Sequence, residues 1–152
     1  MYSLKDIGLK DIKLNIEADN WEDAIRKLAI VPLERKLINQ NYVEAMVNSV
    51  KEFGPYIVLG PHIALAHARP EDGALETALY FTSLKDSIEF GSEDFDPVKI
   101  LILLSAKDSD SHINLLSDLS VILGDDEAVE KLMNASSEQE FLNTLKGALD
   151  EN

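Results

Sequence analysis

The segment that most constrains the fold is a nearly unbroken apolar run at residues 98–106, with the sequence VKILILLSA. A strand that faces water on one side alternates apolar and polar residues, whereas a strand covered on both faces is apolar almost throughout. The run therefore predicts a central strand whose sheet has other elements packed against each face. A chain of 152 residues is long enough to bury such a strand within one domain.

Other periodic segments lie on both sides of this run. Alternating or short apolar patterns predict further strands at 12–18, 56–60, 63–69 and 74–84. Amphipathic patterns with capping residues predict helices at 20–30, 42–53, 111–123, 126–133 and 137–149. Helices before and after a cluster of strands are typical of an α/β fold, here a mixed central β-sheet flanked by helices on both faces. No linker or repeat interrupts the pattern, so we expect residues 1–152 to form a single domain.

The composition argues against several classes of function. The chain carries 28 acidic and 14 basic residues, a net charge of −14, and a surface this acidic repels the phosphates of nucleic acids. We therefore expect no nucleic-acid partner, and protein partners with basic patches instead. The chain has no cysteine, which excludes disulfides and cysteine nucleophiles within it. No apolar run approaches the roughly 18 residues of a membrane span, so we expect a cytoplasmic protein.

Sequence motifs for common cofactors are also missing. The chain contains neither a GxxxxGK[ST] loop nor a GxGxxG turn, so nucleotide binding is not predicted. It also lacks the GxSxG elbow of serine hydrolases and the HExxH helix of zinc proteases. We therefore expect a function that needs no cofactor and no metal ion.

Two of the chain's three histidines lie in the segment 62–73, HIALAHARPEDG. In an extended strand the side chains alternate between faces, so His67 and Arg69 share a face while His62 tends to the other. Pro70 supports this interpretation, because the residue before a proline is biased toward extended backbone. The spacing therefore predicts an imidazole beside a guanidinium, with His62 apart from them in a loop.

The third histidine, His112, follows the central strand at the start of a helix. Its spacing from Leu115, Leu119 and Leu123 places it on the apolar stripe of that helix, in the first turn. Backbone N–H groups in a first turn lack helical partners and favour an anion. Ligand sites in α/β folds commonly lie at the carboxyl ends of strands, so His112 could meet His67 across such a crevice.

Each of these residues also has a purely structural explanation. His67 and His112 could be hydrogen-bonded core residues, and Arg69 could be a surface cation of an acidic protein. A zinc-dependent hydrolase is a further hypothesis, in which the histidines and nearby acids would bind a metal ion. The odd spacing between His62 and His67 and the lack of a metal-ligand motif weigh against it.

A longer stretch, residues 42–74, resembles a known family. Its sequence, YVEAMVNSVKEFGPYIVLGPHIALAHARPEDGA, is similar to the EIIA domains of the bacterial sugar phosphotransferase system, in the mannitol/fructose superfamily. The run HARPEDG is similar to the ascorbate-type branch, in which GIALPHARPE is a typical string. The segments NWEDAIRKLA and SHINLLSDLS fall where the family has corresponding segments, so the resemblance covers nearly the whole chain.

The resemblance implies that the chain is a phosphotransferase of the histidine phosphocarrier type. His67 would be the phosphorylated histidine, which accepts a phosphoryl group from the carrier protein HPr and passes it to a cysteine of EIIB. The EIIC membrane permease would then be an indirect partner. His112 matches the second active-site histidine of the mannitol-type members, and Arg69 matches the arginine of the HARP string.

The chain departs from the family pattern at several positions. Mannitol-type members carry an arginine upstream of their histidine, where this chain has Ser49 and Lys51. We expect Lys51 or Arg69 to supply that charge, and Ser49 to lie at the substrate. Ala66 replaces the usual proline before the active histidine, which loosens the backbone there. His62 stands where the family often has glycine.

A regulatory role is an alternative with the same fold. EIIA-like domains also occur within transcription regulators, where phosphorylation of the histidine is a signal. The sequence shows no DNA-binding segment, which favours a carrier. The sequence does not fix the oligomeric state, and an apolar helix face could support a homodimer.

Overall fold

The computed structural model describes residues 2–150, the side chain of residue 150 excepted. Its strands are β1 (Ile12–Ile16), β2 (Val58–Gly60), β3 (Ile63–Ala66), β4 (Ala78–Ile88) and β5 (Val98–Ser105). They form one sheet in the order β1-β4-β5-β3-β2. The pairs β1–β4 and β3–β5 are parallel, whereas β4–β5 and β2–β3 are antiparallel. The predicted mixed sheet is confirmed.

Strand β5 is central, as the apolar run predicts. It lies between β4 and β3 and is buried along almost its whole length. Its side chains alternate between two core clusters, with Ile100, Ile102 and Leu104 on one face of the sheet and Leu101 and Leu103 on the other. Both faces are therefore covered, which is the arrangement that a continuous apolar strand requires.

The helices divide between the two faces. They are α1 (Trp21–Leu28), α2 (Ile30–Glu34), α3 (Gln40–Phe53), α4 (Ser109–Leu123), α5 (Asp126–Met133) and α6 (Glu138–Asp150). Helices α1 and α3 contribute to one core cluster, and α4, α5 and α6 contribute to the other. The predicted flanking by helices on both faces is confirmed. No helix within residues 2–150 is long and apolar enough to span a bilayer.

Capping side chains explain where two helices begin. Helix α3 starts two residues before its predicted position, because the Oδ1 of Asn39 accepts a hydrogen bond from the amide of Tyr42 at 3.1 Å. Helix α4 likewise starts at Ser109, because Asp108 accepts from the amide of Ser111 at 2.7 Å. Both residues satisfy N–H groups that the first helical turn leaves without partners.

Strands β1 to β3 are shorter than predicted, and β3 ends at Ala66, so His67 and Arg69 follow the strand rather than belong to it. Strand β4 is instead displaced along the chain. The pattern at 74–84 predicts a strand, whereas β4 begins at Ala78 and continues to Ile88. The amides of Leu75 and Glu76 both donate to the carbonyl of Leu37, at 2.9 and 3.0 Å. These bonds hold residues 75 and 76 against the loop that contains Leu37. The two residues therefore do not take part in the hydrogen bonds of the sheet.

Candidate active site

The histidine pair lies where two parallel neighbours, β3 and β5, end. His67 follows the last residue of β3, and His112 lies in the first turns of α4, which follows β5. Because the carboxyl ends of adjacent parallel strands meet at one edge of a sheet, the two residues face a shared crevice. The crevice is an open cavity of about 950 Å³ that both histidines line.

The rings of this pair are close enough to act on one small group. The ring centroids of His67 and His112 are 5.8 Å apart, with an angle of 55° between the planes. Tyr56 also contacts His67 in an edge-to-face arrangement, with ring centroids 5.8 Å apart. The meeting of His67 and His112 across a crevice, which the sequence suggests, is therefore present in the structure.

A backbone contact fixes the tautomer of His67. Its Nδ1 lies 2.7 Å from the carbonyl oxygen of Leu65. A carbonyl only accepts hydrogen bonds, so Nδ1 carries the proton and Nε2 carries the free lone pair. Burial lowers the pKa of His67 from its ordinary value; the Leu65 bond opposes this shift, and the nearby His112 adds to it. The neutral, nucleophilic form is therefore favoured.

The position of His112 follows from the start of α4. Its amide donates to the carbonyl of Asp108 at 3.1 Å, in the first hydrogen bond of the helix. The Asp108 side chain caps the same turn. His112 is thus carried by a well-formed helix end, where the helix dipole favours negative charge.

Arg69 lines the same cavity, but carboxylates engage its guanidinium. Its Nε lies 3.3 Å from Asp72 and 3.6 Å from Glu71, and its Nη2 donates to Asp72 at 3.3 Å. The arginine side chain is 76% exposed, and exposed ion pairs contribute little free energy. The guanidinium is therefore near the site, and little holds it back from an incoming anion.

The two residues at the upstream position of the family's arginine have separate locations. Ser49 lines the cavity, together with its neighbour Asn48. The Nζ of Lys51 instead pairs with Glu22 of α1 at 3.2 Å, and Lys51 is not among the residues that line the cavity. Of the two residues expected to supply the charge, Arg69 therefore lines the cavity and Lys51 faces α1, and the role of each stays a prediction.

His62 lies outside this site. It occupies the turn between β2 and β3 with a φ of 71°, and its Nδ1 donates to the carbonyl of Pro97 at 2.7 Å. The loop position expected for His62 is therefore confirmed. It lines a different cavity from His67, so the two histidines do not face a common ligand. Within residues 2–150, no group of three histidine, cysteine or acidic side chains is placed to hold a metal ion.

Sequence reasoning missed the apolar rim of the cavity. Phe53, Tyr56 and Ile113 line it while remaining 68%, 43% and 62% exposed. Large apolar side chains left open to water beside polar groups are typical of a surface that meets another protein. The signal in the sequence is Phe53, a phenylalanine at the last position of an amphipathic helix.

Together these features define a class of protein. A neutral imidazole nitrogen is a nucleophile near pH 7, and phosphoryl transfer asks a protein chiefly for placement and charge stabilisation. The molecule offers such a nitrogen beside a second imidazole and a guanidinium, in a cavity open to a partner. It is an α/β protein with a histidine site suited to accepting and releasing a small anionic group.

Comparison with known proteins gives this class a family. The family model described as "Phosphoenolpyruvate-dependent sugar phosphotransferase system, EIIA 2" matches residues 7–148. The mannitol-specific cryptic phosphotransferase enzyme IIA component of Escherichia coli K12 is 41% identical over 124 residues, covering 82% of this chain and 84% of the relative. The ascorbate-specific EIIA component of Shigella flexneri is 34% identical over 137 residues, covering 90% of this chain and 89% of the relative.

Comparison with solved structures leads to the same family. The solution structure of the E. coli cryptic mannitol component has a TM-score of 0.85 at 36% identity, and covers 96% of this chain and 99% of the other. The mannitol IIA chain from the E. coli complex with phosphorylated IIB has a TM-score of 0.82 at 28% identity, covering 93% and 98%. The chain therefore belongs to the EIIA 2 family of the phosphoenolpyruvate-dependent sugar phosphotransferase system.

Proposed function

We propose that the protein is a phosphocarrier in which His67 accepts a phosphoryl group from HPr and passes it to a cysteine of an EIIB partner. The observation that carries this proposal is the bond from His67 Nδ1 to the Leu65 carbonyl. It leaves Nε2 as the free nucleophilic nitrogen at a cavity that His112 shares. Residues 1–152 act in this proposal as one EIIA-type unit.

The transfer consists of two substitutions at phosphorus. In the first, Nε2 of His67 forms a bond to phosphorus while the nitrogen–phosphorus bond of phosphorylated HPr breaks. In the second, the EIIB cysteine sulfur attacks the same phosphorus, and His67 leaves as the neutral imidazole. Each step depends on in-line placement of the two partners and on compensation of the phosphoryl charge.

Three kinds of group are available to stabilise the phosphoryl oxygens. The imidazole of His112 can donate a hydrogen bond from across the cavity. Arg69 can exchange its weak contacts with Asp72 for a stronger, charge-assisted bond to the phosphoryl group. Ser49 and its neighbouring amide side chain offer neutral donors on the α3 wall. This set takes the place of the upstream arginine found in mannitol-type relatives.

The exposed rim supports docking of carrier proteins at this face. Phe53, Tyr56 and Ile113 provide an apolar border around His67, and the acidic chain favours partners with basic patches. We propose HPr and EIIB as these partners, with the EIIC permease reached indirectly and all soluble steps in the cytoplasm. A homodimer through this rim is disfavoured, because it would cover His67.

The test is phosphorylation with phosphoenolpyruvate, enzyme I and HPr, followed by intact-mass spectrometry. Wild type and His62→Ala are expected to take up one phosphoryl group, and His67→Ala none. His112→Ala should still load, but about tenfold more slowly, because it loses one stabilising donor while the nucleophile remains. Loading of His67→Ala, or loss of loading in His62→Ala, would show that another residue is the acceptor.

A second transfer step identifies the branch and the role. The HARPEDG run supports an ascorbate-type system, whereas the higher identity with the cryptic mannitol component supports that system instead. The phosphorylated protein is therefore mixed with EIIB domains of both types. Preferential transfer to the ascorbate-type EIIB supports the proposed branch. Transfer to neither would favour a regulatory domain, whose phosphohistidine is a signal.

A further inference from the structure

A buried tyrosine stands at the point where β3 leaves the sheet. Ala66, the last residue of β3, pairs in register with Leu103 of β5. One more rung of a parallel ladder would join the amide of Ala68 to the carbonyl of Leu104. The hydroxyl of Tyr42 lies between these two groups instead, accepting from the Ala68 amide at 3.1 Å and donating to the Leu104 carbonyl at 2.6 Å.

This hydroxyl bridges the two strands at the place where their direct pairing ends. It satisfies both backbone groups, so the end of β3 can turn away from β5 without leaving the Ala68 amide or the Leu104 carbonyl unpaired. The Tyr42 side chain is fully buried, with 0% exposure, and Ala68 is 9% exposed. Burial raises the pKa of Tyr42 to about 12, so the hydroxyl keeps the proton that it donates to Leu104.

The segment held in this way carries the histidine. His67 lies between Ala66, which is still paired with β5, and Ala68, which is bonded to the tyrosine. Its Nδ1 reaches back to the carbonyl of Leu65 at 2.7 Å, a contact that depends on the local backbone direction. The same tyrosine belongs to α3, whose later turns form one wall of the cavity.

We propose that Tyr42 is a positioning residue for phosphoryl transfer: its hydroxyl parts β3 from β5 and so holds His67 with Nε2 free and its ring facing His112. Tyr42 does not line the cavity and acts only through the backbone. The inference rests on the proposed function, in which His67 is the acceptor.

Two variants that each lose one buried hydroxyl group test this role. Tyr42→Phe removes the hydroxyl and keeps the ring. Thr82→Val is the control, since Thr82 is also fully buried and donates at 2.6 Å to a β5 carbonyl, that of Leu101, but makes no bond to residues 67 or 68 among those described. We expect the rate of phosphoryl acceptance from HPr to fall about tenfold in Tyr42→Phe and by less than about twofold in Thr82→Val.

Further readouts separate positioning from loss of stability. In ¹⁵N NMR spectra of the imidazole, wild type and Thr82→Val should show His67 as the Nδ1–H tautomer, and Tyr42→Phe a mixture of both tautomers. The maximal transfer rate should fall while the KM for phosphorylated HPr is retained, because the docking rim is unchanged. Replacement of Tyr42 by 4-fluorophenylalanine fills the volume of the hydroxyl without donating, and should reproduce the loss if Tyr42→Phe folds poorly.

A folded variant at position 42 with the wild-type rate and the wild-type His67 tautomer would overturn the inference. Equal slowing in Thr82→Val would overturn it as well, because any lost buried hydroxyl would then have the same effect. If the wild-type protein accepts no phosphoryl group, the proposed function fails. The tautomer measurement still decides whether Tyr42 orients His67.

Discussion

At the scale of single residues, His67 combines two requirements that usually conflict. A nucleophile must reach a partner protein, whereas a lowered pKa needs partial removal from water. Its half-buried place at the end of β3, with Nδ1 on the Leu65 carbonyl, meets both. In the proposed function, the ring edge that carries Nε2 is the one that receives the incoming phosphorus.

The lowered pKa of His67 predicts a pH profile. Only the neutral imidazole attacks phosphorus, so the reactive fraction should begin to fall at a lower pH than that of a histidine with the ordinary pKa of about 6.5. Folding disfavours protonation of this ring, so the folded state binds the proton less readily than the unfolded chain. His67 therefore contributes stability that is present at higher pH and lost as the pH falls below about 6.5.

An NMR titration of the His67 ring checks this prediction directly. The same titration of the protein unfolded in urea supplies the reference, and the folded midpoint should lie below it. A folded midpoint equal to or above the unfolded one would contradict the assignment of a desolvated ring.

At the scale of elements, α6 shows how a helix is held by its apolar face together with polar contacts at its start. Phe141 and Leu145 are buried in the core, and Glu138 accepts from the amide of Leu14 in the edge strand β1 at 3.1 Å. Gly147 lies on the exposed side of the same helix, and a Cβ added there would contact nothing within 4 Å. This glycine weakens the helix without serving its packing.

Gly147→Ala should therefore increase the free energy of unfolding by roughly 0.5 kcal/mol, because alanine is a better helix former than glycine.

Gly73→Ala should instead decrease the free energy of unfolding. Gly73 has a φ of 132°, and a Cβ there would overlap the side-chain amide of Asn39, which caps α3. We expect a loss of about 1–3 kcal/mol for this variant.

Urea unfolding followed by circular dichroism measures both changes. The two substitutions are chemically identical, so opposite signs would show that backbone geometry and neighbouring atoms determine the outcome. A destabilised Gly147→Ala variant, or a neutral Gly73→Ala variant, would contradict the local geometry described above.

At the scale of the whole molecule, the net charge is expected to steer the proposed partners to the site. The net charge is −14, and Glu52 and Asp72 line the cavity beside His67. A long-range negative field accelerates encounter with a basic partner surface, and salt screens that field. The apolar rim then provides short-range contact that salt affects little.

Phosphoryl acceptance from HPr should accordingly slow several-fold as NaCl rises from about 0.05 to about 0.5 M, because the Debye length shortens to a few ångströms. Stopped-flow measurement of the second-order rate constant checks this. Glu52→Gln should lower the rate at low salt more than Glu130→Gln does, since Glu130 borders a different cavity. A rate that is insensitive to salt would indicate that apolar contact alone governs docking.

The sequence by itself determined the features that depend on local pattern. The apolar run of β5 required cover on both faces, and the caps and periodicities located five helices to within a few residues but missed the short helix α2. The motif around His67, together with His112 at the start of a helix after a strand, indicated the family before any contact was known.

Only the tertiary structure decided the contacts between segments distant in the chain. Lys51 pairs with Glu22 on a neighbouring helix and does not line the cavity for which its position in the sequence suggested it. The hydroxyl of Tyr42 bridges the backbone of Ala68 and Leu104 by hydrogen bonds, whereas the sequence indicates only that Tyr42 lies in a helix. Periodicity reports which side of an element is apolar, whereas a hydrogen bond or ion pair depends on how two elements are placed in space.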